Sequence, residues 1–150
     1  EKPTQAKAYI AHYERGNFPR AADDPAPDEE RLRERVARFW QDRMRADWGG
    51  NYDLLDPFFR ATTMREYYIA NQFKTVYHDF RIEGVKFTEN GNSVLVTVRY
   101  KYEIPEVYLS SGKKVSVPKR EEETTDEWIW IDRDWYRASK DTAGNTMVPR

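Results

Sequence analysis

Cysteine is missing from all 150 positions of this sequence. Disulfide bonds, thiol nucleophiles and cysteine-ligated zinc or iron–sulfur centres are therefore excluded. Long hydrophobic runs are missing as well, since no apolar stretch approaches the roughly 20 residues that a membrane span requires. We accordingly predict no transmembrane segment.

An excess of charge of either sign is also absent. The chain carries 25 Lys and Arg against 26 Asp and Glu, which gives a net charge of −1. Such a chain has no long-range attraction for polyanions, so we predict no nucleic-acid partner. Its length and its 39% of hydrophobic residues suit one globular domain.

Prolines concentrate near the start of the chain and predict an extended, flexible arm over residues 1–27. We predict a folded domain over residues 28–139 and a tail over residues 140–150. The sequence begins at Glu1 rather than at a methionine. This start, the arm and the lack of cysteine fit a bacterial protein of the cell envelope or periplasm that has lost a leader or carries a lipid anchor. A cytoplasmic fragment fits them about as well.

Helical spacing of apolar residues follows the arm. It predicts a long helix over residues 28–48 that ends at Gly49-Gly50. Shorter helical turns are predicted from Asn51 and from Thr62, so three helices precede the strands. The apolar stripe of the long helix consists of Leu32, Val36, Phe39, Trp40 and Met44.

Alternating apolar residues begin after Lys74 and predict two long strands joined by a hairpin turn at Asn90-Gly91. The pattern slips by one residue at Glu83-Gly84, which predicts a β-bulge. Together the turn and the bulge predict the following cross-strand pairs: Phe87 with Val94, Val85 with Val96, Ile82 with Val98, Phe80 with Tyr100, His78 with Tyr102, and Val76 with Ile104.

The second half of the sheet is predicted from three shorter patterns. A hairpin extension spans residues 107–117, with Pro105 and Pro118 limiting its ladder pairing. The acidic run over residues 121–123 is interpreted as a solvated strand margin. A last hairpin pairs Trp130 with Trp135 across a two-residue loop.

The change from helical to alternating period predicts an α+β fold, with N-terminal helices packed on a curved, bulged antiparallel sheet. The closing hairpin, Glu127-Trp128 to Trp135-Tyr136, resembles the last hairpin of the nuclear transport factor 2-like superfamily. Phe39-Trp40 followed by Gly49-Gly50-Asn51-Tyr52 is similar to its first-helix signature. The resemblance covers roughly residues 28–139 and implies a cone of curved sheet around a helix. The superfamily holds ketosteroid isomerases, scytalone dehydratases, polyketide cyclases and non-enzymatic domains, so the fold does not choose a function.

His78 is the candidate catalytic residue, because the predicted register puts it beside Tyr102 on the apolar face. A base there could abstract a proton next to a carbonyl, with Tyr102 or Tyr100 donating to the oxygen. The alternative is a structural histidine. The two-histidine design that the resemblance implies for dehydratases is not met, because the only other histidine is His12, in the arm. Three aspartates could reach a cone mouth: Asp53, Asp56 and Asp126.

Tryptophans supply the candidate ligand cage, and core packing is the alternative reading of the same residues. We predict a small apolar ligand, no cofactor and no metal, since no phosphate loop, zinc pair or calcium loop is present. The candidate ligand-binding residues are His78, Tyr100, Tyr102, Trp40, Trp128 and Trp130.

The predicted function is a non-catalytic ligand-binding or protein-interaction domain of a bacterial exported protein or lipoprotein. The alternative is a small acid–base enzyme of isomerase, dehydratase or cyclase type acting on an apolar carbonyl compound. The last hairpin carries large apolar side chains on both faces, and Leu95 and Thr97 share its outer face. This pattern predicts a two-fold homodimer through the sheet face, unless the arm covers the same surface.

Overall fold

The computed structural model describes residues 25–89 and 91–139. Most of the predicted arm, Asn90 of the predicted turn and the predicted tail lie outside the described residues. The helices are α1 (Glu29–Met44), α2 (Trp48–Asp53), α3 (Pro57–Thr62) and α4 (Arg65–Ala70). The strands are β1 (Val76–Phe87), β2 (Ser93–Tyr108), β3 (Lys114–Ile131) and β4 (Asp134–Arg137).

The first helix is shorter than predicted. Its N-cap is Asp28, whose carboxylate accepts hydrogen bonds from the backbone N–H groups of Glu30 and Arg31. It ends at Met44 because Ala46 adopts a left-handed φ of 57°, and not at a glycine.

The pair Gly49-Gly50 lies inside α2, so the prediction that it ends the first helix was wrong. At Gly50 a Cβ atom would lie 2.8 Å from Oδ2 of Asp42 and 2.9 Å from Oδ2 of Asp47. The absent side chain therefore allows α2 to approach the carboxylates of Asp42 and Asp47 closely. A further helix, α3, begins at Pro57 behind the N-cap Asp56, and the described residues hold four helices where three were predicted.

The four strands form one antiparallel sheet in the order β1-β2-β3-β4, which confirms the α+β fold class. The predicted register holds from the Phe87–Val94 pair to the Phe80–Tyr100 pair, and the predicted bulge lies between Ile82 and Gly84. The turn and the bulge thus fix the long hairpin over most of its length.

The register fails at the far end of β1, where a second bulge lies between Tyr77 and Asp79. Tyr77 pairs with Tyr102, and His78 is the extra residue. The predicted pairs of His78 with Tyr102 and of Val76 with Ile104 were therefore wrong. The bulge turns the larger apolar ring of Tyr77 into the core and leaves the more polar imidazole outside, which is the favourable exchange for burial.

Strands β2 and β3 continue beyond the end of β1 as the predicted hairpin extension. Their pairing is irregular between Tyr102 and Val107, where Pro105 stands in β2 and Pro118 in β3. Since proline has no N–H to donate to a ladder, both prolines limit the pairing as predicted.

The core lies between α1 and the inner face of the sheet. Phe39 packs edge-on against Trp128 with ring centroids 5.7 Å apart, and Trp40 lies 4.8 Å from the ring of Tyr100. Trp130 pairs with Trp135 as predicted, at 5.3 Å. The long helix therefore contacts both the tryptophan end and the tyrosine end of the sheet.

The second face of the last hairpin is covered by the chain itself. Ile129 and Ile131 are fully buried and pack against Phe58 of α3 and against Tyr136 and Ala138. The homodimer was predicted partly because these side chains need a cover, and within the single chain, helix α3, Tyr136 and Ala138 supply it.

The outer face of the long strands is mainly polar. Arg99 forms ion pairs with Glu121 and Glu123, and Arg81 also pairs with Glu121. Leu95 is 39% exposed on this face. The outer face of the long strands therefore carries mainly ion-paired charged side chains.

Candidate functional site

A cavity of about 220 Å³ opens on the inner side of the sheet, at the end away from the last hairpin. Strand residues from β1, β2 and β3 form its wall, and the segment between α4 and β1 closes one side. The lining residues are Phe73, Thr75, Tyr77, Tyr100, Tyr102, Ile104 and Glu122.

The bulge at His78 is what places the first tyrosine in this wall. It turns Tyr77 inward opposite Tyr102, and the regular alternation of β2 adds Tyr100 on the same face. The rings of Tyr77 and Tyr100 lie 6.0 Å apart, and those of Tyr100 and Tyr102 lie 5.6 Å apart. Three tyrosine rings therefore form one continuous surface along the cavity.

Tyr100 is the polar group at the back of this surface. Its side chain is deeply buried at 8% exposure, and its hydroxyl has no hydrogen-bond partner among the described residues. Burial, with smaller effects from Tyr77, Glu122 and Tyr102, raises the pKa of Tyr100 to about 12. The hydroxyl therefore stays protonated at neutral pH and can donate one hydrogen bond and accept others.

At the rim of the cavity, the lining residues Tyr102 and Glu122 are linked to each other and to Arg120. The hydroxyl of Tyr102 accepts a hydrogen bond from Nε of Arg120 at 2.8 Å and donates to Oε2 of Glu122 at 3.2 Å. Arg120 also pairs with Oε2 of Glu122 at 3.1 Å, and its guanidinium lies 5.5 Å from the centre of the Tyr102 ring. These contacts hold the Glu122 carboxylate at the edge of the tyrosine wall.

Behind the wall lies the buried side chain of Arg43. Its guanidinium lies 4.6 Å from the ring centre of Phe39 and 5.4 Å from that of Tyr77, and Nη1 is 3.5 Å from the Tyr77 hydroxyl. Aromatic faces stabilise a cation in this arrangement. Arg43 therefore fixes the Tyr77 ring from the core side.

The structure separates His78 from the cavity. Its Nε2 lies 2.5 Å from Oε2 of Glu103, on the face opposite Tyr102, and its side chain is 30% exposed. The predicted proximity of His78 to Tyr102 was wrong, because the second bulge reverses the direction of His78. His12 lies outside the described residues.

The predicted tryptophan cage is core. Trp40, Trp128 and Trp130 are almost fully buried, and none of them lines the cavity. The indole Nε1 of Trp130 has no hydrogen-bond partner among residues 25–89 and 91–139. Of the predicted ligand-binding residues, only Tyr100 and Tyr102 come together at the cavity.

The aspartates predicted to reach a cone mouth serve the fold instead. Asp53 pairs with Arg65 and Asp126 pairs with Arg137, at 3.3 and 3.0 Å. Asp56 caps α3 and also accepts the backbone N–H of Ser139. Burial raises the pKa of the Asp56 carboxyl, although these hydrogen bonds partly oppose the shift. None of the three lines the cavity.

Sequence reasoning missed Phe73, Tyr77 and Glu122 as cavity residues. The acidic run was interpreted as wholly solvated, yet strand alternation turns Glu122 toward Tyr100 while Glu121 faces outward. The alternation of β3 against β2 was the signal that could have found Glu122. It required the β2–β3 register, which the two prolines disturb.

The described ranges lack two further features. No helix there is long and apolar enough to cross a membrane. Within the same residues, no group of three or more histidine or acidic side chains is arranged to hold a metal ion.

No family model matches this chain, and no curated protein matches it. Solved structures do resemble it. A proposed dehydratase from the NTF2-like family of Streptomyces avermitilis is 14% identical, with a TM-score of 0.46 over 75% of this chain and 95% of that chain. Aln2 from a Streptomyces species is 12% identical, with a TM-score of 0.41 over 76% of this chain and 90% of that chain.

The intermembrane space region of the chloroplast protein ARC6 is similar at 15% identity, with a TM-score of 0.48 over 77% of this chain and 95% of that chain. With identities of 12–15% and TM-scores below 0.5, these likenesses decide neither the family nor the function of this chain, so its function must rest on the residues of the cavity.

Proposed function

We propose that this domain binds a small organic ligand in the tyrosine-lined cavity and does not transform it. The observation that carries the proposal is Tyr100, an 8% exposed residue that lines a cavity of about 220 Å³ and whose hydroxyl has no partner among the described residues. A hydroxyl that no protein group engages is available to a hydrogen-bond acceptor on a ligand in the cavity.

The size and lining of the cavity support a small ligand with an apolar body. Its volume lies below the ~300–1,000 Å³ of sites for drug-sized molecules. Aromatic rings and Ile104 supply the apolar part of the wall. Its polar groups belong to Thr75, to the three tyrosines and to Glu122. Such a site binds through ring contact and orients its ligand through one or two hydrogen bonds.

A fragment screen followed by amide NMR tests the binding site. We expect hits to shift the amides of Tyr77, Tyr100 and Tyr102 together. The Tyr100→Trp variant should abolish these shifts by filling the cavity, and Tyr108→Trp, at a position 70% exposed in the hairpin extension, is the matched control. Hits that shift the wall equally in Tyr100→Trp, or a screen in which no fragment shifts it, would contradict the proposal.

The alternative function, an acid–base enzyme acting on a carbonyl compound, has less support. His78 lies on the opposite face of the sheet, and Glu122 is engaged by Arg120 and Tyr102. With a pKa of about 12, the Tyr100 hydroxyl is neither a base nor an effective acid at neutral pH. A hit with an exchangeable α-proton should therefore show no protein-dependent exchange in deuterated water, and exchange that Tyr100→Phe removes would favour the enzyme.

The cell-envelope location and the homodimer through the sheet face both stay predictions. On the outer face, Leu95 is an exposed apolar side chain that a dimer contact could bury. It shares that face with the ion pairs of Arg81 and Arg99. Light scattering at micromolar concentration tests the dimer, and the Leu95→Lys variant should return it to a monomer. A monomeric parent chain would contradict it.

A further inference from the structure

The lining of the cavity has a distinct electrostatic character. Four aromatic rings, those of Phe73, Tyr77, Tyr100 and Tyr102, share it with Glu122, and no lysine or arginine of the described residues lines it. The face of an aromatic ring is negative because of its quadrupole, and the Glu122 carboxylate is an anion whose positive partner, Arg120, is not among the lining residues of the cavity. The space between them therefore favours a cation.

The Glu122 carboxylate retains one unused oxygen. Both Tyr102 and Arg120 contact Oε2, and no hydrogen bond or ion pair within the described part of the chain uses Oε1. The contacts of Tyr102 and Arg120 therefore position the carboxylate and leave its second oxygen, Oε1, available to a ligand. A carboxylate oxygen attracts a cation electrostatically and also accepts a hydrogen bond from any N–H group that the cation carries, so Oε1 can face a positively charged group.

An anionic ligand fits the same residues less well. Arg120 is about half exposed and does not line the cavity, and two of its nitrogens are already held by Tyr102 and Glu122. Arg43 lies on the core side of the wall, where it contacts the rings of Phe39 and Tyr77. Neither arginine is among the lining residues of the cavity, whereas Glu122 is, so an anion bound there would be repelled by the Glu122 carboxylate.

We propose that the ligand is a small organic cation of the substituted-ammonium class. Its ammonium group lies between the Glu122 carboxylate and the tyrosine rings, and an acceptor on the same molecule receives a hydrogen bond from the Tyr100 hydroxyl. This inference rests on the proposed function, and it replaces the purely apolar ligand predicted from the sequence with a charged one.

Calorimetric titration with two compounds of the same shape measures how much the positive charge of the ligand adds to its affinity. Choline is the cationic probe, and its neutral isostere carries a tert-butyl group in place of the trimethylammonium group. Cation–π and carboxylate contacts together are expected to favour choline by about tenfold or more. Binding of the isostere with equal or higher affinity would overturn the cationic assignment.

Glu122→Gln tests the carboxylate with its shape retained. We expect it to weaken choline binding by about tenfold and to leave the isostere unchanged. Glu121→Gln is the matched control, since it removes the neighbouring carboxylate that pairs with Arg81 on the outer face. Equal effects of the two variants on choline would overturn the assignment, because a general loss of negative charge would then explain them.

The two proposals fail in different ways. If neutral fragments occupy the cavity and Tyr100→Trp excludes them, but choline shows no preference, the cationic assignment is wrong and the binding site stands. If neither choline nor any fragment reaches the wall, the proposed function is wrong as well. Thermal unfolding of each variant checks that its fold is retained.

Discussion

The two ends of the sheet are built from different aromatic residues and pack differently. At the tryptophan end, Trp128, Trp130 and Trp135 fill the space beneath α1 almost completely. At the tyrosine end, Tyr77, Tyr100 and Tyr102 line a cavity of about 220 Å³. The same two strands, β2 and β3, run through both ends, so the contrast comes from side chains rather than from topology.

Polar side chains also differ between the two ends, although the buried Nε1 of Trp130 at the tryptophan end has no partner among the described residues. The Asp126–Arg137 pair is buried at the tryptophan end and joins β3 to β4 at 3.0 Å, with side chains 12% and 10% exposed. The Tyr100 hydroxyl at the other end has no partner among the described residues. Matched polar groups stabilise a fold, whereas an unmatched one at a cavity is available to a ligand.

The largest expected effect comes from truncation at the filled end. Trp128→Ala should destabilise the protein by about 3–5 kcal/mol, because it removes a fully buried ring and leaves a hole beside Phe39. Phe73→Ala, at the wall of the existing cavity, should cost less than about 2 kcal/mol, since fewer contacts are lost there. Urea unfolding of both variants measures the difference, and equal losses would contradict the contrast.

The buried ion pair gives the next largest effect. Arg137→Leu should cost on the order of 3 kcal/mol, because it leaves the Asp126 carboxylate buried without its cation. The double variant Arg137→Leu with Asp126→Ala should recover part of the loss, since it removes the stranded charge. A double variant that is less stable than Arg137→Leu would show that the carboxylate has another essential partner.

The tryptophan end was largely predictable from the sequence. Alternation in β2 and the pairing of Trp130 with Trp135 identified its strands, and the stripe on α1 identified Phe39 and Trp40 as the helix face against them. The cover over Ile129 was not predictable, because α3 has only six residues and no periodicity of its own to reveal it.

The tyrosine end was only partly predictable, because it depends on an unmarked bulge. Gly84 marked the bulge that was predicted, whereas the one at His78 has no glycine. Choosing between Tyr77 and His78 for the inner face required comparing the burial of a phenol with that of an imidazole. The alternation of apolar and polar residues in β1 cannot decide this, because it is equally regular with Tyr77 or with His78 on the inner face.

Two buried tyrosines provide a matched test of the polar contrast. Tyr68 donates a hydrogen bond to Oδ1 of Asn51 at 2.8 Å, so Tyr68→Phe should cost about 1–3 kcal/mol by leaving that oxygen unsatisfied. Tyr100→Phe should change stability by less than about 0.5 kcal/mol, since no partner is lost. The denaturant midpoints of the two variants measure these changes in stability. If Tyr100→Phe lost as much stability as Tyr68→Phe, the Tyr100 hydroxyl would already be paired.

Alkaline pH should give a smaller effect that also reports on Tyr100. Its pKa is raised to about 12 in the folded protein, so the folded state holds this proton more tightly than the unfolded chain. The resulting stabilisation is complete below the ordinary pKa of about 10 and is lost as the pH rises through about 12.

Unfolding free energies measured between these two pH values should therefore decline less steeply in Tyr100→Phe than in the parent protein. Burial raises the pKa of Tyr68 as well, so the variant reduces the decline and does not remove it. Unchanged slopes would indicate that the Tyr100 hydroxyl is open to water rather than buried at the cavity.

The smallest effect is expected on the outer face, where the charged side chains are exposed to solvent. Arg99→Gln removes the pairs with Glu121 and Glu123, yet it should cost less than about 1 kcal/mol, because water stabilises the separated charges nearly as well. The loss should shrink further in molar salt, since screening already weakens such pairs. An Arg99→Gln loss as large as that of Arg137→Leu, and insensitive to salt, would mean that another surface covers this face, as the predicted homodimer requires.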